Sequence, residues 1–88
     1  MKKASPTFGQ VLKERRLALH QSGAEAAEAC GTTQQTISRW EIGRNVPTTV
    51  DQQLRVAEYL EVDVENLAQL IAETVRRNII GDIRRHLG

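Results

Sequence analysis

Hydrophobic residues recur along the first half of this chain at the three- and four-residue spacing of α-helices. The segment "SPTFGQVLKERRLALH" predicts a first helix over residues 6–20, with Ser5 as N-cap and Pro6 at the first helical position. One face of this helix carries Phe8, Val11, Leu12, Arg15, Arg16 and Leu19.

The next two predicted helices are short and lie close together in the chain. In "SGAEAAEACG", Ser22 and Glu25 have the spacing of a capping box, and Gly31 suits the left-handed conformation that ends many helices. Thr33 then caps a third helix, so that helix two, a glycine-containing turn and a helix over residues 33–42 follow one another. Two helices joined by such a turn indicate a helix-turn-helix motif.

Two more helices complete the pattern. Thr49 and Gln52 predict the start of a fourth helix, whose apolar stripe is Leu54, Val56, Ala57 and Leu60. Asp63 caps a long fifth helix that starts at Val64. Its aliphatic residues recur at every fourth position, at Leu67, Ile71, Val75, Ile79, Ile83 and Leu87.

These elements predict an all-α fold, namely a compact five-helix domain with an extended C-terminal helix. The predicted parts are an N-terminal arm over residues 1–5, the helix-turn-helix domain over 6–71 and a helical extension over 72–88. At 88 residues the chain forms one domain. The apolar helical faces predict a single core that includes Leu12, Ile37, Trp40, Val56 and Leu60.

Composition narrows the class of protein. No apolar run approaches the roughly 18 to 20 residues that span a bilayer, and "MKKASPTFG" has no apolar segment behind its lysines. With one cysteine, Cys30, the chain suits a reducing compartment, so we expect a cytoplasmic protein. His20 and His86 are isolated, and no nucleophile, base and orienting group occur together. We therefore expect neither enzymatic activity nor a metal or other cofactor.

The net charge of +1 conceals a basic first half. Residues 1–44 carry seven Lys or Arg against four acids, whereas residues 45–70 carry one against five. Such an asymmetry favours the approach of one face to a polyanion.

The third helix has two different faces at about 100° per residue. Ile37 and Trp40 share one arc, and the opposite arc is polar. Its glutamines can bond bidentately to adenine, its arginine to guanine, and a threonine methyl group can contact that of thymine. This arc predicts base contacts by Thr33, Gln34, Gln35, Ser38 and Arg39.

At this point the motifs resemble a known family. "FGQVLKERR", "GTTQQTISRWEIGR" and "LRVAEYLEVDVENL" are similar to the Cro/C1-type (XRE-like) helix-turn-helix family of phage repressors and bacterial regulators, over about residues 7–70. The "TTQQ" run further resembles the recognition helix of the 434 phage repressor. The resemblance implies a lambda-repressor-like fold whose helix 33–42 enters the major groove, with an A·T pair expected near Gln34.

Phosphate contacts are expected at the rim of this surface. The candidates are the first turn of helix two, at Ser22, Gly23 and Ala24, and the side chains of Lys13, Arg44, Asn45, Lys2 and Lys3. The chain departs from the family at Gly23, where a glutamine is usual, and in the loop after helix three, which has fewer basic residues. The resemblance also implies an internal ion pair between Arg16 and Glu41.

The sequence thus predicts a sequence-specific transcriptional repressor or regulator that binds a double-stranded DNA operator. We expect a homodimer whose interface includes Val75, Ile79, Ile80, Ile83 and Leu87. Folding of residues 72–88 back onto their own domain is the competing arrangement. Two other functions stay open, an antitoxin that regulates its own operon and a protein-interaction module that binds a partner through the C-terminal helix.

Overall fold

The computed structural model describes residues 6–88, and these form five α-helices without a β-strand. The helices are α1 (Phe8–Ala18), α2 (Gly23–Cys30), α3 (Gln34–Glu41), α4 (Val50–Leu60) and α5 (Val64–Leu87). The molecule measures 39 × 30 × 23 Å. Because α5 alone spans about 36 Å at 1.5 Å per residue, it accounts for the longest dimension. The all-α prediction is confirmed.

Every helix begins with a side chain that accepts a hydrogen bond from the backbone amide three residues later. These N-caps are Thr7, Ser22, Thr33, Thr49 and Asp63. The four caps predicted for α2 to α5 are confirmed. Each satisfies an amide that the helix itself leaves without a partner.

The predicted start of α1 is wrong. Pro6 precedes the helix, and Thr7 caps it through a capping box with Gln10, in which both backbone amides find side-chain acceptors at 2.9 and 3.1 Å. Ser5 lies outside the described residues. The helix also ends earlier than predicted, because Leu19 is its C-cap and His20 has a φ of 54°.

The core joins all five helices. The buried apolar residues are Phe8, Leu12, Ala26, Ala27, Cys30, Ile37, Trp40, Val56, Ala57, Tyr59, Leu60 and Leu67. All five residues predicted to share this core belong to it. The Phe8 and Trp40 rings meet edge to face at 6.2 Å.

One predicted core position, Leu54, is instead 54% exposed. At about 100° per residue, it lies roughly 160° around α4 from the buried Val56. Tyr59, which the sequence pattern did not single out, is buried, and its hydroxyl donates to Gln21 Oε1 at 2.7 Å. A hydrogen bond at the ring tip allows an aromatic with a polar group to enter the core.

The long helix α5 continues without interruption past residue 72. Thr74 is buried, with its hydroxyl donating to Leu70 O at 3.1 Å, and Asn78 Nδ2 donates to Gly43 O at 3.0 Å. One side of the extension therefore lies against the domain. Its aliphatic side chains lie elsewhere on the helix and are exposed, at Val75, Ile79, Ile80, Ile83 and Leu87. None of the helices described over residues 6–88 is both long and apolar enough to cross a membrane.

Two leucines of α4 provide a test of this packing. Leu60→Ala should lower the free energy of unfolding by about 2 to 5 kcal/mol, because it opens a cavity in the core. Leu54→Ala should change it by less than about 0.5 kcal/mol, as is usual for surface positions. Chemical denaturation of both variants measures the difference, and equal effects would contradict the orientation of α4.

Candidate nucleic-acid interface

The turn between α2 and α3 depends on glycine for two reasons. Gly31 has a φ of 68°, in the left-handed region, and the amide of Thr32 donates to Ala27 O at 2.9 Å. A Cβ atom at Gly31 would also lie 2.9 Å from Cδ of Arg55. The sequence signal for the helix-turn-helix turn was therefore correct, and the packing of α4 adds a constraint that only the structure reveals.

The two faces of α3 differ as the sequence indicates. Ile37 and Trp40 are 1% and 2% exposed and pack into the core. Trp40 is thus unavailable as a stacking surface. All the predicted base-reading residues are exposed, namely Thr33, Gln34, Gln35, Ser38 and Arg39. The structure brings them together at the surface, around the first two turns of one short helix.

Thr33 combines two roles at the start of α3. Its Oγ1 accepts from the amide of Thr36 at 3.2 Å and lies 2.9 Å from the Thr36 hydroxyl. The hydroxyl is therefore engaged within the turn. The methyl group of Thr33 remains for an apolar contact, such as that with a thymine methyl.

Gln34 lies against the first residue of α2. A Cβ atom built on Gly23 would be 3.3 Å from Cγ of Gln34, closer than ordinary van der Waals contact. The glycine thus makes room for the glutamine side chain. The departure from the family pattern at Gly23 consequently affects the placement of a candidate base-reading residue as well as a candidate phosphate contact.

The three predicted amide donors of α2 are not equivalent. The amide of Ser22 donates to Glu25 Oε1 at 3.0 Å, and Ser22 Oγ accepts from the amide of Glu25 at 3.2 Å. Ser22 is therefore occupied by its own capping box. Gly23 and Ala24 lie in the first helical turn, where backbone amides have no intrahelical acceptor. These two amides are the better placed for an anion.

The side chains proposed for phosphate contacts are exposed and lie on two elements. Lys13 is on α1, between Gly9 and Arg16, which both contact α3. Because helical residues three and four apart share a side, Lys13 borders α3 as well. Arg44 and Asn45 are in the loop after α3. The predicted contacts of Lys2 and Lys3 lie outside the described residues.

Arg16 and Glu41 form a bidentate ion pair between α1 and α3. Arg16 Nε and Nη2 donate to the two Glu41 carboxylate oxygens at 2.7 and 3.0 Å, and Nη1 donates to Gln21 O at 3.2 Å. The side chains are 18% and 11% exposed. The hydrogen bond to Glu41 raises the pKa of Arg16 above its ordinary value. This arginine is committed to an internal contact.

Sequence reasoning missed Ile42. Its side chain is 69% exposed and follows Gln35 by seven residues, two helical turns. It therefore continues the exposed face of α3 towards the following loop. The signal in the sequence was this spacing, which an aliphatic residue concealed because such residues suggest core positions.

Other chemistry is sparse in the described part of the chain. No group of three or more His, Cys, Asp or Glu side chains over residues 6–88 could hold a metal ion. Burial raises the pKa of the Cys30 thiol to about 11, so the thiol behaves as a small apolar side chain.

Comparison with known proteins places this geometry in a family. The family described as "Helix-turn-helix domain" matches residues 7–70, which is more than half of the chain. The chain belongs to this family. No curated protein and no solved structure matches the chain. Domains of this kind bind DNA, which agrees with the exposed polar face of α3.

The ion pair between α1 and α3 provides a second test of the fold. Glu41→Gln should lower the free energy of unfolding by about 3 kcal/mol, because it leaves the charge of Arg16 largely buried and uncompensated. Asp51→Asn is the matched control, because it breaks a pair with Arg55 whose side chains are 75% and 52% exposed.

The control should cost less than about 1 kcal/mol, since exposed ion pairs contribute little. Urea denaturation at neutral pH measures both changes. A loss for Glu41→Gln no larger than that of the control would show that the pair does not hold α1 to α3.

Proposed function

We propose that this protein is a sequence-specific, double-stranded DNA-binding transcriptional repressor or regulator of the Cro/C1 type. The observation that carries the proposal is the exposed face of α3, polar over its first two turns, on a helix whose other face is buried in a helix-turn-helix domain. Helices of this kind enter the major groove with their N-terminal residues against base edges.

Each exposed side chain of α3 has a chemical role in this proposal. Gln34 and Gln35 would bond adenine N6 and N7, and Arg39 would bond guanine O6 and N7. Ser38 would donate to or accept from either type of base, while the Thr33 methyl group would contact thymine. We expect an A·T pair opposite Gln34.

Phosphate contacts would orient α3 in the groove without reading sequence. The amides of Gly23 and Ala24 would bind one phosphate at the positive end of α2. Lys13, Arg44 and Asn45 would bind others along the rim. The basic first half of the chain would attract the duplex before these contacts form.

We also propose that the protein acts as a homodimer in the cytoplasm. The support is the aliphatic row on the extension of α5, where Ile79, Ile83 and Leu87 are each more than half exposed. A dimer would read two half-sites separated by about 34 to 36 Å, one turn of DNA. The same row favours a second function, binding of another protein, if the chain shows no salt-dependent duplex binding.

Two arginines of equal charge should behave differently in DNA binding. Arg39→Ala should cost about 1 to 3 kcal/mol of binding free energy and relax preference at one base pair of each half-site, because Arg39 lies on the exposed face of α3. Arg44→Ala should weaken binding to all sequences alike and lower the salt slope by about one, because Arg44 lies in the loop.

Selection of bound duplexes from a random pool would first provide the site. Affinities for single-base variants of that site, at several salt concentrations, then compare the two substitutions. Gln34→Ala should resemble Arg39→Ala at a neighbouring base pair. If both substitutions on α3 weakened every variant equally, α3 would not be the reading helix.

The proposed dimer can be tested with two leucine-like positions of similar exposure. Ile83 and Leu54 are 51% and 54% exposed, and only Ile83 belongs to the aliphatic row. Ile83→Glu should therefore convert the full-length chain to a monomer at micromolar concentration, whereas Leu54→Glu should leave the dimer intact. Sedimentation equilibrium measures both, and a parent chain that is already monomeric would contradict the proposal.

A further inference from the structure

A cleft at the C-terminal end of α3 is lined by three arginines from two different elements. Arg44 comes from the loop after α3, and Arg77 and Arg85 come from the extension of α5. Asp82 contributes the one carboxylate of the described cleft lining. Three positive charges against one negative charge make this cleft a site for an anion.

The cleft borders the face of α3 that carries the candidate base-reading residues. Ile42, which lines the cleft, follows Gln35 by two turns on the same face of the helix. A duplex lying along that face would therefore reach the mouth of the cleft. The extension of α5 is thus placed beside DNA bound by α3.

Contacts within the domain hold the two arginine-bearing elements together. Asn78 Nδ2 donates to Gly43 O at 3.0 Å, which joins α5 to the residue immediately before Arg44. Arg77 and Arg85 are eight residues apart, with Gly81 midway between them on the same side of α5. Gly81 has no side chain to fill the space between the two guanidinium groups.

The two α5 arginines can change partners at little cost. Arg77 Nε lies 3.6 Å from Glu73, and Arg85 pairs with Asp82 within the same helix. The side chains of these pairs are 45 to 76% exposed, and ion pairs so accessible to water are weak. A DNA phosphate offers a guanidinium group a bidentate and stronger acceptor.

We propose that Arg77 and Arg85 bind the phosphate backbone of the duplex beside the segment read by α3. This inference rests on the proposed function and extends the DNA-binding surface beyond the helix-turn-helix motif onto α5. The contacts carry no base information, because phosphates are common to all sequences. Their contribution is to affinity, to its salt dependence and to the orientation of α5 on the duplex.

The same helix contains a matched control. Arg76 and Arg84 immediately precede the two cleft arginines, and they do not line the cleft. The variant Arg77→Gln, Arg85→Gln and the control Arg76→Gln, Arg84→Gln therefore have equal net charge. Any difference between them reports position rather than total charge.

The experiment measures affinity of the full-length chain for its selected duplex between about 50 and 200 mM salt. The cleft variant should lower the salt slope by about two and weaken binding at least about tenfold, with unchanged base preference. The control should retain the slope of the parent. Sedimentation of each variant shows whether its dimer is preserved, and comparisons are made at concentrations where the species are alike.

Equal slopes for the two variants would overturn the proposal, because the effect would then arise from overall charge. The duplex supplies an independent measurement. Trimming base pairs from the ends of the site should weaken the parent until the flanking phosphates are lost, and should affect the cleft variant less. A parent chain that binds no duplex would instead contradict the proposed function itself.

Discussion

The packing of α1 against the C-terminal half of α3 supports every other part of the interface. A helix of eight residues is marginal in water without tertiary contacts, so α3 requires a neighbour. Gly9 permits the close approach, because a Cβ atom there would lie only 2.6 Å from Trp40 O. Phe8 then contacts the Trp40 ring, and the Arg16–Glu41 pair closes the contact at the edge of the core. Through these contacts the exposed face of α3 acquires a fixed orientation.

Arginine serves three purposes in this small domain, and burial separates them. Arg16 is largely buried and satisfied by Glu41 and Gln21, so its charge is spent inside the structure. Arg39 is exposed on α3, where a side chain would meet base edges under the proposed function. Arg77 is exposed on α5 beside the cleft. The net charge of +1 gives no indication of this division of roles.

The extension of α5 presents different chemistry on its different sides. Thr74 and Asn78 lie against the domain and hold the helix near the end of α3. Ile83 belongs to an exposed aliphatic row, and Arg77 lies on a basic side. One anchored helix can therefore combine contacts with a second copy and with phosphate, because its sides are rotated from one another about a common axis.

The sequence by itself determined the local features: five helices, four of their N-caps, the glycine turn at Gly31 and the polar face of α3. These depend on residues a few positions apart, so spacing alone reveals them. It did not determine the exposure of Leu54, the burial of Tyr59 or the contact between Gly23 and Gln34. Those depend on which helices meet and at what rotation. Only the tertiary structure decides this, because a side chain is buried by a neighbour that the linear pattern does not name.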